Sequence, residues 1–460
     1  MASEWPIMSL REAGVSLIDC EHRTPPASER GYPYVAIPQV KDGRINLNGV
    51  RRITRKHFDE WTRKAHPEPF DVVLSRRCNP GETGFVPRGL QFALGQNLVL
   101  LRSDGTKIFK PFLRWLVRGP QWWEQVGMYI NVGAVFDSLK CADIPGFGLP
   151  VPPLPEQRAI AHILGTLDNK IELNRQMNQT LEEMARALFK SWFVEFDPVH
   201  AKATLKDHAT TLPQAGSDWS VDRARAYLDG MDPDIAALFP DSLVDSALGP
   251  IPEGWEVRAL GECFEVERGL SYKGSALSSF GVPMHNLNSI FEGGGYKNDG
   301  IKYYRGDYRP RHVVQPGDVI VANTEQGHDR MLIGFAAIVP KCFGDNGLFS
   351  HHIYRVRTKS SFAFAPDFVC RLLNTQAIHD TVSGYATGTT VNMLPVDALR
   401  IPRFVAPLAQ VVTTFSTIAE EARVRQEAFI AESRTLAIVR DTLLPKLISG
   451  KMRVKDEFRH

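Results

Sequence analysis

The side chains best equipped for directional hydrogen bonding in this chain sit in loops punctuated by glycine and proline. EHRTPP carries Arg23 and Thr24, LSRRCNPGETG carries Arg76, Arg77 and Asn79, and Gln96 and Asn97 follow. The second half offers Arg268 and Tyr272 in ERGLSYKG. It then offers Asn323, Glu325, Gln326, His328 and Arg330 after an apolar run, and Thr387, Thr389 and Thr390 in YATGTT. A guanidinium fork matches the two acceptors on the major-groove edge of guanine, and an amide matches adenine. Gly81 and Gly84 permit close backbone approach to phosphate. Ordinary loop polarity uses the same residue types, so the sets weigh more than any member. Arg51, Arg52, Arg55, Lys56 and Lys302 suit phosphate contacts, which position without specifying.

No grouping reads as catalytic machinery. An N-P-P-[FY] run for adenine methylation is missing; Asn79-Pro80-Gly81-Glu82 lacks both the second proline and the aromatic. There is no glycine loop for S-adenosylmethionine. Gly269 and Gly274 have the glycine spacing of a phosphate loop, without the Lys-Ser/Thr that must follow. The histidines include His351-His352 but form no H-E-x-x-H, so no metal site is expected, and His351 reads as a polar strand residue. Glu182-Glu183 and Glu420-Glu421 read as solvated helix surface. Chemistry must come from partners.

Loops that read need elements that hold them. Steps of three and four from Ile160 land on Leu164, Leu167, Ile171, Asn174, Asn178, Leu181, Ala185, Leu188 and Trp192. That is a coiled-coil seam, and roughly 38 helical residues would span nearly 60 Å at about 1.5 Å each. From Val411 the same steps give Phe415, Ile418, Ala422, Arg425, Phe429, Glu432, Leu436, Val439 and Leu443. If the two helices pair antiparallel, their polar centres meet, which fixes register at some cost in stability.

The remainder is an internal repeat. Trp5 returns as Trp255, a shift of 250; Asp71-Val72-Val73-Leu74 returns as Asp318-Val319-Ile320-Val321, a shift of 247. Pro153-Leu154 returns as Pro407-Leu408, a shift of 254. Strands are expected at Tyr34–Val40, Val72–Ser75, Leu98–Arg102, Val319–Ala322, Ile333–Val339 and His352–Val356, with helices at 110–117, 121–128, 365–374 and 375–382. Each half is therefore an α+β domain followed by a long helix.

Length and charge are consistent with this. The 460 residues can bury two or three cores, and no apolar run is long enough to cross a bilayer. The opening MASEWPIMSLREAG lacks the apolar region of a secretory signal. Six well-separated cysteines read as free thiols in a reducing cytoplasm. Between Val194 and Gly254, eleven acidic residues face four basic ones, a local −7, so the overall +2 leaves +9 elsewhere. The acidic stretch reads as an inter-domain connection, and the basic halves suit a polyanion, although a solvated basic face has the same composition.

The run LPEQRAIAHILGTLDNKIELNRQMNQTLEEMARALFKSWFVEFDPV at 154–199 strongly resembles the central region of the specificity subunit of type I restriction–modification enzymes. PEGWEVRALGE at 252–262, Asp19–Pro26 and LLPKLISGKMRV at 443–454 resemble other stretches of that family. The resemblance spans essentially the whole chain. It implies two target recognition domains, at 1–151 and 251–405, separated by two long antiparallel helices forming a coiled-coil spacer, at 152–199 and 406–460, with the acidic connection at 200–250. It implies a non-catalytic, cytoplasmic DNA-binding subunit. Its partners would be two methyltransferase subunits carrying S-adenosylmethionine and an ATP-driven restriction subunit. Two unlike readers on one spacer should recognise a bipartite asymmetric site, with half-site centres about 34–36 Å apart. Exposed apolar residues beyond the seam, Ile163, Met177, Met184, Phe189, Phe193, Leu444 and Leu447, are the expected docking surface for the methyltransferases. A self-sufficient methyltransferase or nuclease, or a coiled-coil scaffold without sequence preference, are the competing readings.

Overall fold

A computed structural model describes residues 5–133, 135–210, 219–326, 330–388 and 391–454. The chain divides into two compact units, Met1–Leu173 with Glu432–His460, and Asn174–Ala431. No helix among the described residues is long and apolar enough to cross a membrane.

In the first unit an antiparallel sheet runs in the order Val15–Asp19, Leu98–Ser103, Val72–Ser75, Thr83–Phe85. Its central strands open on continuous apolar runs, Val72–Leu74 and Leu98–Leu101, because both faces are covered there. Val72, Leu74, Val99 and Leu101 face Phe112 and Trp115 of the helix Lys110–Leu116 and Trp122 of the helix Pro120–Tyr129. Val73, Leu98 and Leu100 face Val35, Phe92 and Leu94 on the other side. Tyr32–Val35 pairs in parallel with Ala93–Leu94, and Ile7–Ser9 pairs with Gly148–Pro150.

The second unit repeats the plan. Its sheet runs Phe264–Arg268, Ile353–Thr358, Val319–Ala322, Ala336–Ile338. Val319, Val321, Tyr354 and Val356 face Phe368 of the helix Pro366–Leu373, while Ile320, Ala322 and Ile353 face the opposite side. Val282–His285 pairs in parallel with Gly347–Phe349, and Glu256–Ala259 pairs with Arg403–Ala406. The duplication inferred from scattered markers is thus a duplication of strand order and register.

The long helices are Leu154–Phe193 and Ala409–Ile448, each of 40 residues. Within each unit they pair antiparallel. In the first unit Ile160 and Leu164, early in one helix, share a core with Leu444, Leu447 and Ile448, late in the other. In the second, Phe189, Trp192 and Phe193 surround Phe415, with ring centroids 5.2–6.2 Å apart. The seam of the second helix holds at Val411 and Phe415, which are fully buried, and its neighbouring face is buried as well. Val412, Ser416, Ala419 and Arg440 are buried, whereas Ile418 and Val439 are exposed. Gln426, one place beyond Arg425, donates Nε2–H to the Asn178 carbonyl at 3.0 Å. Apolar residues occupy several faces of this helix, so period alone does not fix which face packs, and the small Ser416 and Ala419 allow the close approach.

Among the described residues the acidic stretch forms the helices Asp197–Thr210, Val221–Asp229 and Pro233–Ala237, and it belongs to the second unit. Phe239 packs against Trp192 at 5.2 Å, and Tyr227 Oη lies 2.8 Å from Ser191 Oγ. The basic stretch at 51–64 is helical only over Arg55–Thr62, because Arg52-Ile53 extends to pair with Tyr32-Pro33.

One buried acid ties the first unit's elements together. Asp168, on the first long helix, accepts from Arg440 of the second at 2.8 Å, from Arg114 at 2.7 Å and from Arg44 at 2.9 Å. Burial alone would push its carboxyl upward, but Arg114, Arg44 and Arg440 outweigh it and hold the carboxyl below its ordinary range. Burial drives the Arg114 guanidinium down to about 10 against the pull of Asp168. Asp168→Asn is expected to destabilise the chain by about 3–5 kcal/mol at neutral pH, because it leaves buried cations uncompensated. A depressed carboxyl stabilises above the unfolded pKa, about 4, and that contribution is lost as pH falls through the lower folded value. Urea midpoints of wild type and variant, measured from pH 7 to pH 3, should therefore converge in acid. A gap that stays constant across that range would contradict this role.

Candidate nucleic-acid interface

Sheet register decides which loops share an edge. In the first unit Asp19 pairs with Val99, and Ser75 pairs with Leu98, so Asp19, Leu98 and Ser75 lie at one end of the sheet. The segments that follow Asp19, precede Leu98 and follow Ser75 all emerge there, and they carry Arg23 and Thr24, Gln96 and Asn97, and Arg76, Arg77 and Asn79. The structure brings these three sets together. Tyr34 links two of them, since its hydroxyl donates to the Arg23 carbonyl at 3.4 Å and accepts from Gln96 N–H at 3.2 Å. Asn97, in the left-handed region at φ 68, offers its carbonyl to Arg76 N–H at 2.9 Å.

Within the third loop the roles separate. The turn closes through Gly81 N–H to the Ser75 carbonyl at 3.0 Å, with Cys78 at φ 63 and Gly81 at φ 95. A side chain at Gly81 would meet Trp123 and Val126. Arg76 is half-buried and donates to the Leu139 carbonyl at 3.3 Å, so it braces the edge. Arg77 and Asn79 point outward, exposed. Arg23 is also exposed but already holds Glu60 at 2.8 Å and lies 4.9 Å above Trp61. Asp19 Oδ2 and His22 Nε2 pair at 3.0 Å, and Asp19 Oδ1 accepts from Cys20 N–H, so the acid next to that thiol is engaged within the loop.

The second unit has the equivalent edge. Arg268 pairs with Tyr354, and Ala322 with Ile353, which brings Arg268–Tyr272, His351-His352 and Asn323–Gln326 to one end. Arg268 donates to the His351 carbonyl at 3.4 Å; the Tyr272 ring lies 5.9 Å from that of His351. Thr324 Oγ1 and His352 Nδ1 are 3.0 Å apart. Burial, then His351 and Arg268, push the His352 imidazole below its ordinary value. Gln326, Arg330 and Thr387 are exposed. His328, Thr389 and Thr390 lie outside the described residues.

Three comparisons with known proteins cover most of the chain, and a fourth concerns its first half. Residues 23–183 match the family model described as type I restriction modification DNA specificity domain. The chain is 25% identical over 411 residues to the Type I restriction enzyme HindI specificity subunit of Haemophilus influenzae, covering 83% of this chain and 86% of that one. It is 22% identical over 421 residues to the Type I restriction enzyme MjaIX specificity subunit of Methanocaldococcus jannaschii, covering 89% and 83%. Over most of its length the chain is thus similar to type I restriction enzyme specificity subunits. A solved S subunit from a type I restriction–modification system of M. genitalium shares the fold at a TM-score of 0.54 and 13% identity, over 97% of this chain and 96% of that one.

Two expectations for the interface change. Asn323 is buried, donating to the His351 carbonyl at 3.1 Å, and Glu325 is buried with its carboxylate accepting from Met331, Leu332 and Ile333 N–H. Both therefore hold the edge instead of facing outward, because backbone groups of the neighbouring loops take their side chains. His351-His352 was missed as part of the edge. Sheet register places it where Gln96-Asn97 stands in the first unit, a correspondence visible only once Leu98 and Ile353 are aligned.

The basic residues vary in freedom. Arg51 donates to the Pro25 carbonyl, Arg52 to the Gly31 carbonyl, and Arg55 to Asp59 and Tyr32, whereas Lys56 is exposed and Lys302 half-buried. Among the expected docking residues, Met177 and Met184 are exposed and Ile163 is half-buried. Phe189, Phe193, Leu444 and Leu447 are corrected to core positions, since each lies in the apolar core of its own unit. Val424 and Ile438 are exposed helix residues that the sequence pattern did not single out.

Arg77→Ala is expected to relax one base of a half-site at a cost of about 1–3 kcal/mol. Lys56→Ala should weaken cognate and random DNA alike and reduce the salt slope by about 1. Binding titrations on both DNAs over a salt series check this sorting; equal effects from both variants would contradict it.

Proposed function

We propose that this chain is the sequence-specific DNA-binding subunit of a type I restriction–modification complex. Each unit reads one half of a bipartite, asymmetric site through the loops at the shared sheet edge. The observation that carries this reading is the repetition of that edge: exposed Arg77 and Asn79 in one unit, exposed Arg268 and Gln326 in the other, on the same strand order. Unlike residues on like scaffolds suit two different half-sequences. The long helices set the number of unread base pairs, and their exposed Met177 and Met184 dock two methyltransferase subunits. The subunit itself is non-catalytic. S-adenosylmethionine and ATP belong to the methyltransferase and restriction subunits respectively, and the six free cysteines suit a reducing cytoplasm.

Co-expression with the cognate methyltransferase, followed by mapping of N6-methyladenine across the host genome by single-molecule sequencing, tests this. An interrupted, asymmetric motif should appear and vanish when this chain is omitted. Methylation independent of this chain would contradict the proposal. A co-purifying complex without any motif would favour a scaffold that does not specify DNA.

A further inference from the structure

Beside each reading edge the chain builds a small finger, and the two fingers are equivalent. In the first unit Asn131 and Ser138 exchange backbone hydrogen bonds of 2.8 and 3.0 Å. In the second, Thr387 and Met393 do so at 3.1 and 2.9 Å. Each finger contains a glycine whose missing side chain makes room for a carbonyl: Gly133 against Phe136, and Gly388, at φ +141, against Val391. Each ends on a fully buried leucine, Leu139 or Leu394. Gly133 to Gly388 and Leu139 to Leu394 are both shifts of 255.

Both fingers are clipped to the loop that carries candidate reading residues. Leu139 N–H donates to the Arg76 carbonyl at 2.9 Å, and Ser138 bridges Arg77. Leu394 N–H donates to the Asn323 carbonyl at 2.8 Å, and Val391–Met393 pairs with Thr324–Gln326. The second finger includes Thr387, whose polarity made it a candidate from sequence. The first finger escaped notice because its tip is apolar. Val132 is 83% exposed, Val135 77% and Phe136 56%. Single exposed apolar residues need no explanation, but three on one short tip beside Arg77 do.

The neighbours of this tip identify its occupant. It is joined to Arg77 and followed by the exposed Lys140, so it continues a basic edge and not an apolar groove. On such an edge the apolar group available for contact is the 5-methyl of thymine in the major groove. Resting on the DNA-binding reading above, we propose that the first finger enters the major groove and that Val132, Val135 and Phe136 read thymine through that methyl group.

The test uses the full chain assembled with its methyltransferase partner and duplexes carrying the site. Each thymine of the half-site read by the first unit is replaced in turn by deoxyuridine, which removes only the methyl. At one position at least, wild type should lose about fourfold in affinity, the worth of one buried methyl group. The Val135→Ser/Phe136→Ser double variant should show no such penalty while keeping its preference for the other half-site. The single variants Val135→Ser and Phe136→Ser should each blunt the same penalty, which covers the case in which the double variant misfolds. A deoxyuridine penalty that persists in these variants, or none anywhere in that half-site, overturns the inference. Absence of preference for any interrupted site in wild type would instead remove the DNA-reading proposal beneath it.

Discussion

Burying Asp168 among Arg44, Arg114 and Arg440 is the constraint on which the geometry of the first unit depends. A buried carboxylate is costly unless its partners are held in place, and here they come from a strand at the domain surface, a helix under the sheet and the second long helix. Moving any one of them strands a charge. The second unit solves the same problem with contacts of both polarities. Arg423 of the second long helix reaches Asp367 on the helix under the sheet at 3.2 Å, and Glu182 of the first long helix receives Arg371 at 3.0 Å. Burial dominates at Asp367 and pushes its carboxyl upward despite Arg423, so the two anchors are chemically unequal. Apolar packing supplies adhesion between domain and helices. The charged contacts supply orientation, which a reading surface needs more.

Orientation matters because the reading residues lie on loops. A loop side chain selects a base only when something rigid aims it. At each sheet edge that support is visible as residues committed inward: Arg76 to Leu139, Asn323 to His351, and Glu325 to three backbone amides. Their neighbours Arg77, Asn79 and Gln326 remain exposed. The polar residues in such a loop thus divide into those that hold it and those that face the partner, and their types alone do not distinguish the two.

That division also separates what was legible in the sequence from what was not. Val72–Ser75, Leu98–Ser103 and Val319–Ala322 were readable as strands because burial on both faces leaves continuous apolar runs. The long first helix was readable from its spacing and its family-like residues. The packing face of the second was not, since Ile418, Val439 and Ile438 are apolar yet exposed, while Arg440 is buried through its ion pair with Asp168. Phe189 and Phe193 looked available for a partner because their cover comes from Phe368 and Trp255, distant in sequence. The finger carrying Val132, Val135 and Phe136 was not legible because polarity marks a base reader and its tip is apolar. Its equivalence to the finger closed by Thr387 and Met393 is a feature of the fold alone.

The central claim is that the helices determine the spacing between two independently read half-sites. It is tested most directly by inserting one heptad into each long helix where the units change over, after Leu173 and after Ala431. A heptad preserves the seam and adds about 10 Å, or about three base pairs of B-DNA. Mapping methylated sites for the assembled variant should return both original half-sites separated by a longer gap. The original gap, still methylated by the lengthened chain, would contradict the claim.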